Sequence, residues 1–328
     1  MTTQANNAPG ESKEATQNQY LRQCNLIFAN ASGDALDVSD LRIQFAVKKT
    51  DGQTPNTANI KVYGLNADTR NKIQKEYTDI LLQGGYQDNF GVIFTGTAKK
   101  VIKGKDSNVA PYIEIQAADG DTAYNFSTVN ATIAAGSNQR DQIDKITKVM
   151  QQKGTIPGSI EMEDTQRLPR GKVMYGMSRD YLRNSAATGG ASWTIQDGKV
   201  HIIPLTGVLP GEAVVLNSAT GLIGRPEQTD TGIKFRCLLN PFILVGGALQ
   251  IAEKDIQEQE LKETPPAKDG KATKDDKDKL VVNIEADGFY RVISLVYVGD
   301  TFGHDWYCEG ECLDIDTTVP KAKSVKGT

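Results

Sequence analysis

The chain has little of what most enzyme chemistry requires. Its 328 residues include two histidines, four cysteines and two tryptophans, and aromatic residues make up only 7%. No GxSxG elbow, GxxxxGK[ST] phosphate loop or GxGxxG turn after a strand occurs. Nucleophilic hydrolysis and nucleotide binding therefore lack their usual signatures. Basic residues are not in surplus: 37 Lys and Arg face 41 Asp and Glu, for a net charge of −4. A protein that coats nucleic acid needs the opposite balance. No run reaches the ~18 apolar residues of a spanning helix. The opening MTTQANNAPGESKEATQNQ is polar and has no apolar export core. The expectation is a soluble chain with no membrane anchor, made in a cytoplasm. Four cysteines are too few to staple a chain of this length. Cys24 and Cys237 lie inside apolar strand patterns and read as small buried hydrophobes.

What is present is β pattern and turns. The stretch Gly221–Ile251 is the clearest case. Ile233, Phe235, Cys237 and Leu239 alternate with Lys234, Arg236 and Leu238, the period of a half-buried strand. Asn240-Pro241 ends it, because proline cannot donate to a ladder, and Gly246-Gly247 turns the chain into Ala248–Ile251. Residues 19–119 read the same way, with strands at Tyr20–Ala29, Asp40–Lys48, Ala58–Tyr63, Gly91–Lys103 and Pro111–Ala118. Asp51-Gly52 marks a hairpin. Asn66 caps a helix whose apolar face carries Ile73 and Tyr77.

Residues 120–205 change character. Asn138–Lys153 has helical spacing at Ile143, Ile146 and Met150, with Gly154 placed to end it. Residues 154–172 read as a loop, Ser178–Ala187 as a second helix. Ala191–Ile195, Asp197-Gly198 and Val200–Leu205 form a hairpin on a type I′-compatible turn. Residues 206–319 return to strands, including Glu212–Leu216, Leu280–Ile284 and Gly288–Tyr297, interrupted by a charged insertion at 252–280. Residues 1–18 read as a flexible arm and 320–328 as a tail.

The candidates for chemistry are few. His304, Asp305, Cys308 and Cys312 lie within nine residues, and Cys237 is a conceivable further metal ligand. Without a CxxC knuckle, buried strand cysteines are the better reading, so no metal or other cofactor is expected. His201 sits in an alternating strand with no nucleophile partner. Glu161 with Glu163, or Asp119 with Asp121, supplies carboxylate pairs whose geometry sequence cannot fix. Arg167, Arg170 and Lys172 make a short basic patch that reads as a solvated loop. No catalytic residue is assigned and the chain is read as no enzyme.

Four stretches resemble one family. TGLIG, DTGI, LLNP and GG follow in that order between Thr220 and Gly247. NTANIKVYGLNADTRNKI, GGY and VIFTG occupy residues 56–96. ASWTIQDGKVHIIPL and GFYRVISLVYVGDTFGHDW follow further along. Together they are similar to baseplate hub proteins of tailed, contractile bacteriophages. The resemblance implies a mainly β chain with α+β parts: a first tube-like β-barrel at 19–119, a middle α/β domain at 120–205 and a second tube-like barrel at 206–319. It further implies a homotrimer whose six barrels form a ring between the sixfold tail tube and the threefold central spike. Its partners would be the tail tube protein, the spike and other baseplate proteins, with genomic DNA crossing the lumen unbound, in the virion. A contractile bacteriocin, a secretion-system spike, a tail-associated cell-wall hydrolase and a carbohydrate-binding module are the alternatives.

Overall fold

The computed structural model describes residues 20–30, 32–106, 110–162, 167–229, 232–251 and 288–314. The arm at 1–18, the insertion at 252–280, the expected strand at 280–284, Glu163 and the tail at 320–328 lie outside them.

The first part of the chain forms β1 (Arg22–Ala29), β2 (Ala35–Asp37), β3 (Ile43–Thr50), β4 (Thr57–Tyr63), α1 (Ala67–Lys75), β5 (Asp79–Tyr86), β6 (Asn89–Asp106) and β7 (Ala110–Ala118). The middle forms α2 (Asp121–Phe126), β8 (Thr128–Ile133), α3 (Gln139–Gln151), β9 (Ile156–Ile160), β10 (Lys172–Met177), α4 (Ser178–Thr188), β11 (Ala191–Gln196) and β12 (Lys199–Pro204). The last part forms β13 (Val214–Leu216), β14 (Glu227–Thr229), β15 (Gly232–Leu238), β16 (Ala248–Ile251), β17 (Phe289–Asp300) and β18 (Trp306–Asp314).

The mainly β class holds. Strands from both ends of the chain join one sheet, in the order β14-β15-β18-β17-β3-β4-β7-β6-β5-β1-β2. Its seam is the antiparallel pairing of β17 with β3, from Ser294 opposite Thr50 to Asp300 opposite Gln44. The other part of β17, Phe289–Arg291, pairs instead with β16, which in turn pairs β13. A register shift between Val292 and Ser294 lies between the two partners. Such bulges bend a strand, and here the sheet divides. Among the described residues no pairing closes the sheet into a barrel, so the two segments read as separate barrels share a sheet instead.

Alternation decides which side is buried. Ile43, Phe45 and Val47 of β3 point inward, as do Ile233, Phe235 and Cys237 of β15. One core takes side chains from both ends of the chain, among them Phe28, Ile60, Phe94, Leu249, Tyr290 and Trp306. Phe45 meets Trp306 edge to face at 5.5 Å. Trp306 Nε1 donates to the Gly85 carbonyl at 3.3 Å, so β18 reaches across that core to β5.

The middle segment has its own core, containing Ile143, Ile146, Met150, Leu182, Trp193 and Ile202. Helix α3 forms where its caps and its apolar stripe agree. The Asn138 side chain accepts from the Asp141 amide while Asp141 accepts from the Asn138 amide, a capping box. In α1, Asn66 accepts from the Thr69 amide at 2.7 Å. The expected loop at 154–172 contains a strand, β9, running parallel to β12. Pro157 and Gly158 hid it. Both are tolerated because β9 is an edge strand, and Gly158 is required because a Cβ there would lie 2.6 Å from the His201 ring.

Candidate functional site: the junction of sheet and middle segment

The β11–β12 hairpin ends on Asp197-Gly198, with φ of 52° and 77°. These are the positive values a two-residue I′ turn demands. That turn sits on the end of the sheet, and polar side chains from three elements hold it there. Lys49 is the last inward-facing residue of β3. Its Nζ donates to both Asp197 carboxylate oxygens, at 2.8 and 2.7 Å. Asn56, buried in the turn before β4, donates to the Ile195 carbonyl and to Gln196 Oε1, both at 2.9 Å. Its own Oδ1 accepts from the Thr50 amide at 2.9 Å. Gln196 Nε2 answers by donating to the Thr50 carbonyl at 3.0 Å. Every one of these bonds crosses from sheet to middle segment or braces one that does.

Asp119, at the end of β7, completes the set. Its Oδ1 accepts from the Gly198 amide at 2.8 Å. Its Oδ2 is buried and has no hydrogen-bond partner among the described residues. Burial, and then the Asp197 charge beside it, push the Asp119 carboxyl up to about 7.

A second fastening holds the chain where it leaves the middle segment. Arg291 of β17 is almost fully buried. Its Nη1 donates to the carbonyls of Pro204, Leu205 and Gly207 at 2.8, 3.2 and 2.9 Å. Its Nη2 pairs with the Asp51 carboxylate. The planar guanidinium holds its donors in a fixed fork, so one side chain meets the carbonyls through Nη1 and the carboxylate through Nη2.

At the opposite end of the seam, Asp300 accepts from Arg42 Nη2 at 2.7 Å and from Gln44 Nε2 at 2.8 Å. Burial works to raise this carboxyl. The bonds from Arg42, Gln44 and the Phe302 amide outweigh it and hold it at about 2.

The residues singled out from sequence are dispersed. Cys237 and Cys308 lie opposite one another on β15 and β18. Cys312 is further along β18, its Sγ 3.4 Å from the Ile233 carbonyl. His304 and Asp305 are exposed in the β17–β18 turn. Among the described residues no group of three His, Cys, Asp or Glu is arranged to hold a metal. His201 Nδ1 accepts from the Ser159 amide at 3.1 Å. Burial, then nearby Lys199, lowers its pKa. Asp121 is held by Lys99 at 2.8 Å, on the rim of a cleft of about 720 Å³ that Asp79, Thr97 and Lys153 also line. Lys172 donates to Gln142 at 2.8 Å, while Arg167 and Arg170 face solvent. Sequence reasoning missed Lys49, Asn56 and Arg291. The signal for Lys49 was present: it continues the inward series Ile43, Phe45, Val47.

A model of the family described as baseplate hub gp41 matches residues 26–254, well over half of the chain. The chain belongs to the baseplate hub gp41 family. As a hub-family protein it is a component of the phage tail baseplate, hence of the virion. The sequence comparison with curated proteins gave no match. Among solved structures, the tail protein from Neisseria meningitidis MC58 aligns with a TM-score of 0.56 at 8% identity, covering 90% of this chain and 97% of that one. The 43 kDa tail protein of prophage MuSo2 from Shewanella oneidensis aligns at 0.55 and 7%, with the same coverage. At such identities the likeness speaks for the fold. No helix among the described residues is long and apolar enough to cross a membrane.

Proposed function

We propose that this chain is the hub subunit that joins a sixfold tail tube to a threefold central spike. Residues 19–119 and 206–319 act as two tube-like units, and 120–205 is a separate middle domain fastened to them. Three copies close a ring, and DNA crosses its lumen during ejection. Membership of the baseplate hub family supports the reading, and one observation carries it. Both ends of a single chain are fused through the β17–β3 seam into one sheet, so each subunit brings two walls as one piece. Among the described residues the strands at the ends of that sheet, β14, β2 and the branch strand β13, are three residues each. Short terminal strands keep the free subunit from pairing indiscriminately, while a head-to-tail contact still closes into a ring when the rotation allows. The net charge of −4 suits passage of DNA, since a strongly basic wall would retain the phosphates.

Light scattering on the purified chain, alone and with a candidate spike protein, tests this. A trimer, alone or on adding the spike, is expected. A monomer under both conditions at micromolar concentration would overturn the ring.

A further inference from the structure

Two thiols in the sheet core face each other and have no assigned role. Cys237 Sγ and Cys308 Sγ are 3.1 Å apart, and the residues are 71 apart in sequence. Both are buried, at 1% and 0% exposure. They are directly opposed in the antiparallel β15–β18 pair. Leu238 donates its amide to Gly221, and the Arg236 carbonyl accepts from Ile223, so the flanking residues bond away from β18. Cys237 and Cys308 therefore form a hydrogen-bonded pair, in which Cα atoms stand about 5.5 Å apart. That spacing lies inside the range a disulfide spans. The other two cysteines are placed differently: Cys312 sits against the Ile233 carbonyl, and Cys24 is on β1, whose pairing partners are β2 and β5.

We propose that Cys237 and Cys308 are an oxidation site, closing to a disulfide that pins β15 to β18 when the protein meets a small disulfide oxidant. The first thiolate attacks the oxidant and releases one thiol, leaving a mixed disulfide. The second thiolate attacks the protein sulfur of that mixed disulfide and releases the other thiol. One S–S bond is broken and one is formed, the two protein thiol protons pass to the departing thiols, and the oxidant is reduced. Burial makes the reaction slow. Among the described residues, three-residue β14 and a single bridge at Leu222 are what lies beyond β15, so opening at that end exposes the pair without loss of the whole sheet. The contact with Cys308, and then burial, keep the Cys237 thiol protonated well above its ordinary range. The rate therefore rises with pH. Once closed, the bridge encloses a long loop, the case in which a cross-link constrains the unfolded chain most. It fastens an outer part of the sheet, and it does so whether or not the chain forms a ring.

The test incubates the full-length protein with 2-hydroxyethyl disulfide at mildly alkaline pH, below its melting temperature. Remaining thiols are alkylated in denaturant and the peptides are mapped by mass spectrometry. The expected product is an intramolecular link between the peptides of Cys237 and Cys308, lighter by two hydrogens than the reduced pair. Cys24 and Cys312 should be alkylated, and the melting temperature should rise by several degrees. The double variant Cys24→Ser/Cys312→Ser should form the link unchanged, and Cys308→Ser should not form it. Four alkylated cysteines after prolonged oxidation, or a link through Cys24 or Cys312, would overturn the proposal.

Discussion

The two ends of the seam use the same chemistry in different surroundings. At the junction with the middle segment, the side chains of Lys49 and Arg291 are 3% and 8% exposed. At the far end, Arg42 is 42% exposed and pairs with Asp300. All three are cations bonded to aspartates. The difference teaches that the junction is a built joint and the far end a finished surface. A buried ion pair is weak evidence of net stability, because desolvation offsets much of the attraction. Breaking one is a different matter, since the abandoned partner remains buried. Polar groups at the junction therefore act as a register device. They make only one seating of the Asp197-Gly198 turn acceptable.

Removing a junction cation should have the largest effect. Lys49→Ala leaves the Asp197 carboxylate beside Asp119 with no cation, at a loss of about 3–5 kcal/mol. Urea unfolding measures it. Lys49→Met/Asp197→Asn should recover part of that loss, because it removes both charges and Asn tolerates the positive φ at position 197. If the double variant is no better than the single, the cation is not there to meet Asp197. Arg291→Ala comes next, at about 2–4 kcal/mol, by stripping three carbonyls and Asp51 of their donor. Limited proteolysis should then cut first in residues 204–212, where the chain leaves the middle segment.

The two ends should also answer pH in opposite directions. The Asp119 pKa is raised in the fold, so its contribution is full below its ordinary value of 3.8 and is lost as pH rises through about 7. The Asp300 pKa is lowered, so its contribution is present above 3.8 and is lost as pH falls through about 2. Asp119→Asn keeps the acceptor for Gly198. It should flatten the decline in melting temperature between about pH 4 and about pH 7. An unchanged slope would mean that Asp119 is ionised in the fold. The smallest effect belongs to Arg42→Ala, at about 0.2–1 kcal/mol, since the Arg42 side chain is itself 42% exposed and Gln44 and the Phe302 amide remain on Asp300.

Much of the fold was legible in local pattern. The alternation in β3 and β15, the Asn66 cap, the apolar stripe of α3 and the Asp197-Gly198 turn are all decided within a few residues, and they lie where the sequence places them. The sharing of one sheet by both ends of the chain was not legible. Pairing of Thr50 with Ser294 depends on chain segments far apart, and strand periodicity carries no record of a partner. β9 was hidden for a local reason, because Pro157 and Gly158 read as loop unless the His201 ring above them is known. The junction was half legible. Lys49 stands in an inward position of a clear strand, and an inward lysine implies a buried acid. Which acid it meets is decided by a turn 148 residues away.

Peptide-level hydrogen exchange across the seam tests the central claim most directly, that both ends of the chain form one body. The account predicts that amides of β3 and β17 exchange together, as slowly as those of β4 and β7. Exchange of β17 and β18 as a faster-opening unit, with β3 to β7 still protected, would contradict it.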